Sequence, residues 1–147
     1  MATGQSDLSD NAEYVLDDQV GYLLRLANQR HAVIFQELAI LDLTPAQFSA
    51  LVRLSEVSTC SQNQLGRLIA MDVATIKGVV GRLEKRGLVV RAADADDKRR
   101  SVLSLTQAGL DIVEQLHQMG HEVTRETLSP LTAAQQRTFL KLLNKLV

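Results

Sequence analysis

The stretch that decides the fold runs from Leu65 to Arg91, LGRLIAMDVATIKGVVGRLEKRGLVVR. Its first apolar residues, Leu65, Leu68 and Ile69, form the inside of a short helix. Met71 and Asp72 interrupt the pattern, and Asp72 has the short acceptor side chain of an N-cap. Val73, Ile76, Val80 and Leu83 then recur at helical spacing, which predicts a second helix with these residues on its inner face. Gly87 follows as a C′ glycine. After it the period changes, and Leu88-Val89-Val90-Arg91 reads as a short strand.

Working downstream, Val102-Leu103-Ser104-Leu105 is a second strand. Between the strands lies the charged tip Asp94-Ala95-Asp96-Asp97-Lys98-Arg99-Arg100, so the pair forms a hairpin with a long polar loop. Thr106 is expected to cap a helix running to about Thr127. Thr132 caps a last helix with Phe139, Leu142, Leu143 and Leu146 on one face. Upstream, Ser58, Thr59 and Ser61 form a polar break. Thr44-Pro45 before it reads as N-cap and first helical position of a helix carrying Phe48, Leu51, Val52 and Leu54. From Glu13 to Leu41 the periodicity predicts one long amphipathic helix through Leu16, Val20, Leu23, Ala27, Ile34, Leu38 and Leu41. Leu24, Leu26, Val33 and Phe35 widen its apolar stripe, so it packs on more than one partner, and a homodimer is expected. Residues 1–12 are polar and are expected to be disordered.

Length and composition agree with this pattern. The 147 residues suit one domain with a real core. Two prolines and five aromatics favour a mainly α fold over a β-sandwich or barrel. One cysteine, Cys60, excludes an internal disulfide and a Cys-rich zinc site. No apolar run approaches the ~18 residues of a membrane span, and MATGQSDLSD has neither the basic nor the apolar region of a secretory signal. A cytoplasmic protein with no membrane partner is expected. The net charge of -1 hides an asymmetry: residues 1–60 carry 3 basic and 8 acidic side chains, and residues 61–101 carry 9 basic and 5 acidic. A basic middle segment is the electrostatic footprint of a nucleic-acid contact.

Helix, tight turn, helix and charged hairpin is the order of a winged helix-turn-helix. In that arrangement the second helix enters the major groove with its N-terminal residues at the base edges. Here those residues are Ala74, Thr75, Lys77 and Gly78, with Arg82 further along. Ala74 and Gly78 let the backbone approach; Thr75 and Lys77 donate hydrogen bonds, and the Thr75 methyl matches a thymine methyl. Ser61 and Gln62, at the start of the preceding helix, suit phosphates. On the hairpin, Lys98, Arg99 and Arg100 supply cations for a minor groove. Asp97 is placed to orient the Arg99 guanidinium through a bidentate pair. The expected partner is double-stranded DNA.

The stretch from Leu65 to Arg91, followed by DADDKRRSVLSLTQAG, resembles the MarR family of winged helix-turn-helix transcription regulators. The resemblance covers about residues 14–147. Its specific part is R-L-E-K-R-G-L-V, then D-x-x-D-K-R, then L-T-x-x-G. It implies an intertwined homodimer, with 13–43 and 106–147 as dimerisation helices and 44–105 as the DNA-binding lobe. It also implies Thr75 and Lys77 as groove readers and Asp97 with Arg99 as the wing pair. Gly78 and Gly81 stand where the family often has Arg and Asp. They leave open a helical interaction dimer without DNA binding. A-M-D-x-A-T-I-K-G-V-V-x-R-L, with G-Y-L-L-R and Q-R-H-x-x-I-F upstream, is similar to the branch controlling breakdown of aromatic and N-heteroaromatic acids, nicotinate among them.

That branch implies a small aromatic or heteroaromatic carboxylate, such as a hydroxynicotinate, or an aryl-CoA thioester as effector. The expected contacts are Arg25, Asn28 and His31 for its polar end and Phe35 and Phe48 for its ring. Plain core and solvated-surface roles also fit these five residues. Cys60, next to a helix start, is the candidate for an alternative thiol-based redox repressor. The three histidines and scattered acids are read as forming no metal site, and no cofactor is expected. Nothing resembles a nucleophile elbow, a P-loop or a dinucleotide fingerprint, so an enzyme is not expected.

Overall fold

Five side-chain caps set the helix starts. Thr44, Ser61, Asp72, Thr106 and Thr132 accept from the backbone N–H groups of Gln47, Gln64, Thr75, Gly109 and Gln135 at 2.7–3.2 Å. At Thr44 and Thr132 the glutamine three residues on returns the bond, which completes a capping box. In the computed structural model, which describes residues 12–147, these caps open α2 (Pro45–Val57), α3 (Gln62–Leu68), α4 (Val73–Lys85), α5 (Gln107–Asp111) and α7 (Ala133–Leu143). Uncapped helices α1 (Val20–Leu38) and α6 (Val113–Leu128) complete the helical set. Strands β1 (Val89–Ala93) and β2 (Ser101–Leu105) form an antiparallel hairpin in the register Val89 to Leu105, Arg91 to Leu103 and Ala93 to Ser101. The expected disordered stretch lies, except for Ala12, outside the described residues.

The fold is mainly helical with a β-hairpin wing, as the sequence pattern predicts, but two expected helices are divided. The segment from Glu13 to Leu41 is not one helix. Gln19 and Ala39 are extended, so α1 is bounded by short 3-10 turns at Leu16–Asp18 and Ile40–Asp42. Leu41 and Asp42 adopt left-handed φ values of 54° and 52°. This bend delivers Leu43, 3% exposed, into the core. Arg86 at the end of α4 donates to the Leu41 carbonyl and holds the bend. Periodicity alone carries no mark of such a break. The helix expected from Thr106 to Thr127 is likewise broken at Ile112 into α5 and α6. At this break Gly109 lies against the end of β2. A Cβ there would stand 2.3 Å from the Leu88 carbonyl oxygen and 3.3 Å from Leu105.

The main core joins α2, α3, α4, β2 and α6 through Leu51, Leu54, Leu65, Ile76, Val80, Leu83, Leu103 and Leu116, all fully buried. Each such side chain contributes roughly 1.5–3 kcal/mol relative to exposure. A smaller cluster of Phe35, Met119 and Val123 ties α1 to α6, with Phe48 of α2 edge-on to Phe35 at 5.7 Å. Cys60 pairs with Leu103 through two backbone hydrogen bonds of 3.2 and 2.7 Å, which adds an isolated bridge to the outer side of β2. Leu68 and Val73, both expected inside, are exposed. Each lies at a helix end, where the interhelical turn carries it past the buried stripe.

Gly109→Ala should lower stability by about 1–3 kcal/mol, because the new methyl meets backbone that cannot yield. Gly81→Ala, with nothing within 4 Å of its Cβ, should raise it by roughly 0.5–1 kcal/mol through helix propensity. Urea unfolding of the two variants checks both signs.

Candidate nucleic-acid interface and ligand pocket

The buried stripe of α4 is Ile76, Val79, Val80 and Leu83. Apart from Glu84, which is half-buried and paired with Arg91, the other positions of the helix are turned outward. Val73, Ala74, Thr75, Lys77, Arg82 and Lys85 are exposed, and Gly78 and Gly81 are half-buried. A Cβ at Gly78 would meet only the tip of Arg82, at 3.5 Å. Neither glycine is required by packing, and together with Ala74 they leave the outer face low. The Asp72 cap consumes the Thr75 N–H at 2.7 Å. Hydrogen bonds from Thr75, its backbone N–H first, hold the Asp72 carboxyl below its usual value. That stabilisation is present above about pH 4 and is lost as the pH falls through the lowered value.

Ser61 and Gln62 stand at the start of α3, both half-buried. Ser61 spends its hydroxyl oxygen on its own helix as the cap. The Gln62 amide oxygen accepts from Arg91 at 2.8 Å, and the same Arg91 nitrogen pairs with Glu84 at 3.0 Å. Because a guanidinium only donates, this contact turns the Gln62 amide nitrogen away from it. Arg91 joins α3, α4 and β1, a role that neither motif nor periodicity announces.

On the wing, Lys98, Arg99 and Arg100 are exposed. One oxygen of Asp97 accepts from both the Arg99 backbone N–H at 3.0 Å and its Nε at 3.3 Å. The pair is thus monodentate, not the bidentate fork expected from the sequence, because the tight turn brings Nε to the carboxylate. The Arg99 side chain is 92% exposed, so the contact orients it without adding much stability.

The five residues expected around an effector do not form one site within the chain. Asn28 and His31 line a largely apolar cavity of about 320 Å³ between α1, α6 and α7, with Leu24, Phe139, Leu140 and Leu143. His31 Nδ1 hydrogen-bonds Thr127 Oγ1 at 2.9 Å on its floor. The adjacent Arg30 donates to the carbonyls of Glu126 and Thr127, so α1 is clamped to the last turn of α6. Arg25, one turn before Asn28, is exposed and lies over the Tyr22 ring at 5.4 Å. Phe35 is buried in the small cluster and Phe48 packs edge-on against it. Phe35 instead borders a second cavity beside the α1–α2 bend, with Gln36, Asp42 and Thr44. The sequence reading misses Arg30 and Thr127, since a side chain reaching across to a helix end leaves no periodic mark.

Cys60 is 3% exposed, and burial pushes its thiol upward. That is opposite to the low-pKa, accessible thiol of a redox sensor. The sequence also holds one H-x-x-x-H pair: His117 and His121 stand one turn apart, both exposed, on α6. Among the described residues no group of three or more His, Cys, Asp or Glu side chains is arranged to hold a metal ion. None of the helices described is long and apolar enough to cross a membrane.

A basic-faced helix, held outward by a buried stripe and flanked by a cationic hairpin, defines a winged helix-turn-helix transcription regulator. Residues 41–100 match the MarR family. The chain is 36% identical over 139 residues to the HTH-type transcriptional repressor NicR of Pseudomonas putida, covering 94% of this chain and 88% of that one. A probable transcriptional regulator from Pseudomonas aeruginosa superposes with a TM-score of 0.87 at 52% identity, covering 90% of this chain and 100% of that one. BpsR of Bordetella bronchiseptica, whose DNA binding is regulated by 6-hydroxynicotinic acid, superposes with a TM-score of 0.85 at 36% identity, covering 92% and 97%. The chain belongs to the MarR family, a family of DNA-binding transcription regulators and not of enzymes, and it is similar to repressors of the nicotinate and aromatic-acid branch.

Proposed function

We propose that the protein is a homodimeric repressor that holds a pseudo-palindromic operator and releases it on binding a small aromatic or heteroaromatic acid. The observation that carries the reading is the outward face of α4, Thr75, Lys77 and Arg82 around low Ala74, Gly78 and Gly81, beside the Lys98–Arg100 wing. In this reading α4 enters the major groove, Thr75 and Lys77 meet base edges, and Gln62 with Arg99 anchors the backbone and minor groove. Residues 44–105 act as the DNA-binding lobe, and the flanking segments 13–43 and 106–147 as the dimerisation region.

A second copy of the chain accounts for the apolar faces left open. Val20, Leu23 and Leu26 of α1 and Leu142 of α7 are exposed in the single chain and lie outside the lining of the α1–α6–α7 cavity, and such exposed apolar surface marks an interface. Two α4 helices presented by one dimer fit half-sites about one turn of DNA, ~10 bp, apart.

The cavity between α1, α6 and α7 is the effector site in this proposal. Its apolar wall takes the ring, and Asn28 and His31 take the carboxylate; Arg25, one turn before Asn28 and outside the lining, leaves the Tyr22 ring to join them. The ligand of BpsR, a hydroxylated pyridine carboxylic acid, supports this class of effector. A ligand that engages His31 competes with Thr127 and alters the clamp between α1 and α6. It shifts the dimer away from the DNA-bound geometry only by as much as it prefers the other geometry.

Binding to an operator selected from random duplex DNA should weaken steeply with salt. Inserting five base pairs between the half-sites puts them on opposite faces and should abolish tight binding. Unchanged affinity for the lengthened site contradicts a symmetric dimer.

Calorimetric titration of 6-hydroxynicotinate and hydroxybenzoates should show binding that falls roughly tenfold to a hundredfold in Arg25→Ala or His31→Ala, as loss of a charged hydrogen bond requires. A ligand whose affinity is untouched by either substitution places the effector elsewhere.

A further inference from the structure

Val73 is the first residue of α4, and helical spacing assigns it to the buried stripe. The structure turns it out instead: Val73 is 67% exposed, whereas Ile76 and Val80 on the same nominal stripe are fully buried. Its neighbours in the first turn, Ala74 and Thr75, are exposed as well. Three consecutive side chains therefore present methyl groups at the tip of the helix that faces outward. Lys77, Arg82 and Lys85, further along, are cationic.

The chemistry of this tip is unsuited to phosphate. Asp72, directly before it, carries a carboxylate whose oxygen already takes the Thr75 N–H at 2.7 Å. The anion repels phosphate and occupies a donor that a helix N-terminus would otherwise offer it. What remains is a small apolar surface at a helix start fixed by the Asp72 cap. In the major groove the feature that matches such a surface is the thymine 5-methyl group.

We propose that Val73 is a specificity-determining residue of the operator contact, reading a thymine methyl in each half-site by direct apolar contact. The proposal rests on the reading of α4 as the DNA-contacting helix and deepens it. Thr75 and Lys77 supply polar contacts, and Val73 supplies the discrimination between thymine and cytosine at one position, which hydrogen bonds from a single hydroxyl do not secure.

Uracil substitution tests the contact, because it deletes the 5-methyl and leaves the pairing edge intact. The full-length protein is used to select an operator from random duplex DNA, and each thymine is then replaced by deoxyuridine. For the wild type, substitution at one thymine per half-site should weaken binding about fourfold, the factor expected for one buried methyl-sized group. In Val73→Ala, where the parent side chain is 67% exposed and outside the buried core, the same replacement should have no effect at that position. If wild type and Val73→Ala lose the same factor at every thymine, or if no uracil weakens the wild type, the proposal is overturned. Failure of the protein to select any DNA in a salt-dependent way overturns the DNA reading itself, and Val73 with it.

Discussion

The rotation of α4 about its own axis is the constraint on which the rest depends. Ile76, Val79, Val80 and Leu83 are held in one core with Leu51 and Leu54 of α2, Leu65 of α3 and Leu103 of β2. Turning the helix by one residue, about 100°, would expose part of this set and bury charged or small groups in its place. The cost of uncovering even two such side chains, several kcal/mol, is comparable with the stability of a whole domain. The outward face is thus decided by the inward one. Thr75, Lys77 and Arg82 are presented together because their neighbours cannot leave the core.

Two arginines join this rigid unit to its surroundings, and a third joins α1 to α6. Arg91 links the wing to α3 and α4 through Gln62 and Glu84. Arg86 fastens the end of α4 to the left-handed bend before α2. Arg30 fastens α1 to the last turn of α6 beside the cavity that Asn28 and His31 line. The last two joints lie along a continuous path from the cavity, through α1 and the bend, to α4. A regulator needs such joints, since a packed core transmits a shift only as a change between discrete arrangements.

Much of this was legible in the sequence, and the failures have physical causes. The caps at Thr44, Asp72, Thr106 and Thr132 were readable because a short acceptor before an apolar run is local chemistry. The hairpin was readable because the period changes after Gly87. The breaks at Ala39 and Ile112 were not, since both segments keep a helical spacing through a turn imposed by distant contacts. The outward position of Val73 was missed for a related reason: at a helix end the stripe is set by how the chain enters, not by spacing. The scattered placement of Arg25, His31 and Phe48 was missed because cavities arise between elements, and the sequence lists residues along one.

Hydroxyl-radical footprinting of the full-length protein, with and without a selected operator, tests the central claim most directly. If the outward face of α4 is the DNA-reading surface, Val73, Lys77, Arg82 and wing residue Arg99 lose reactivity on DNA binding. His117 and His121, exposed on α6, keep theirs. Protection of the α6 histidines with unchanged reactivity along α4 would contradict the account.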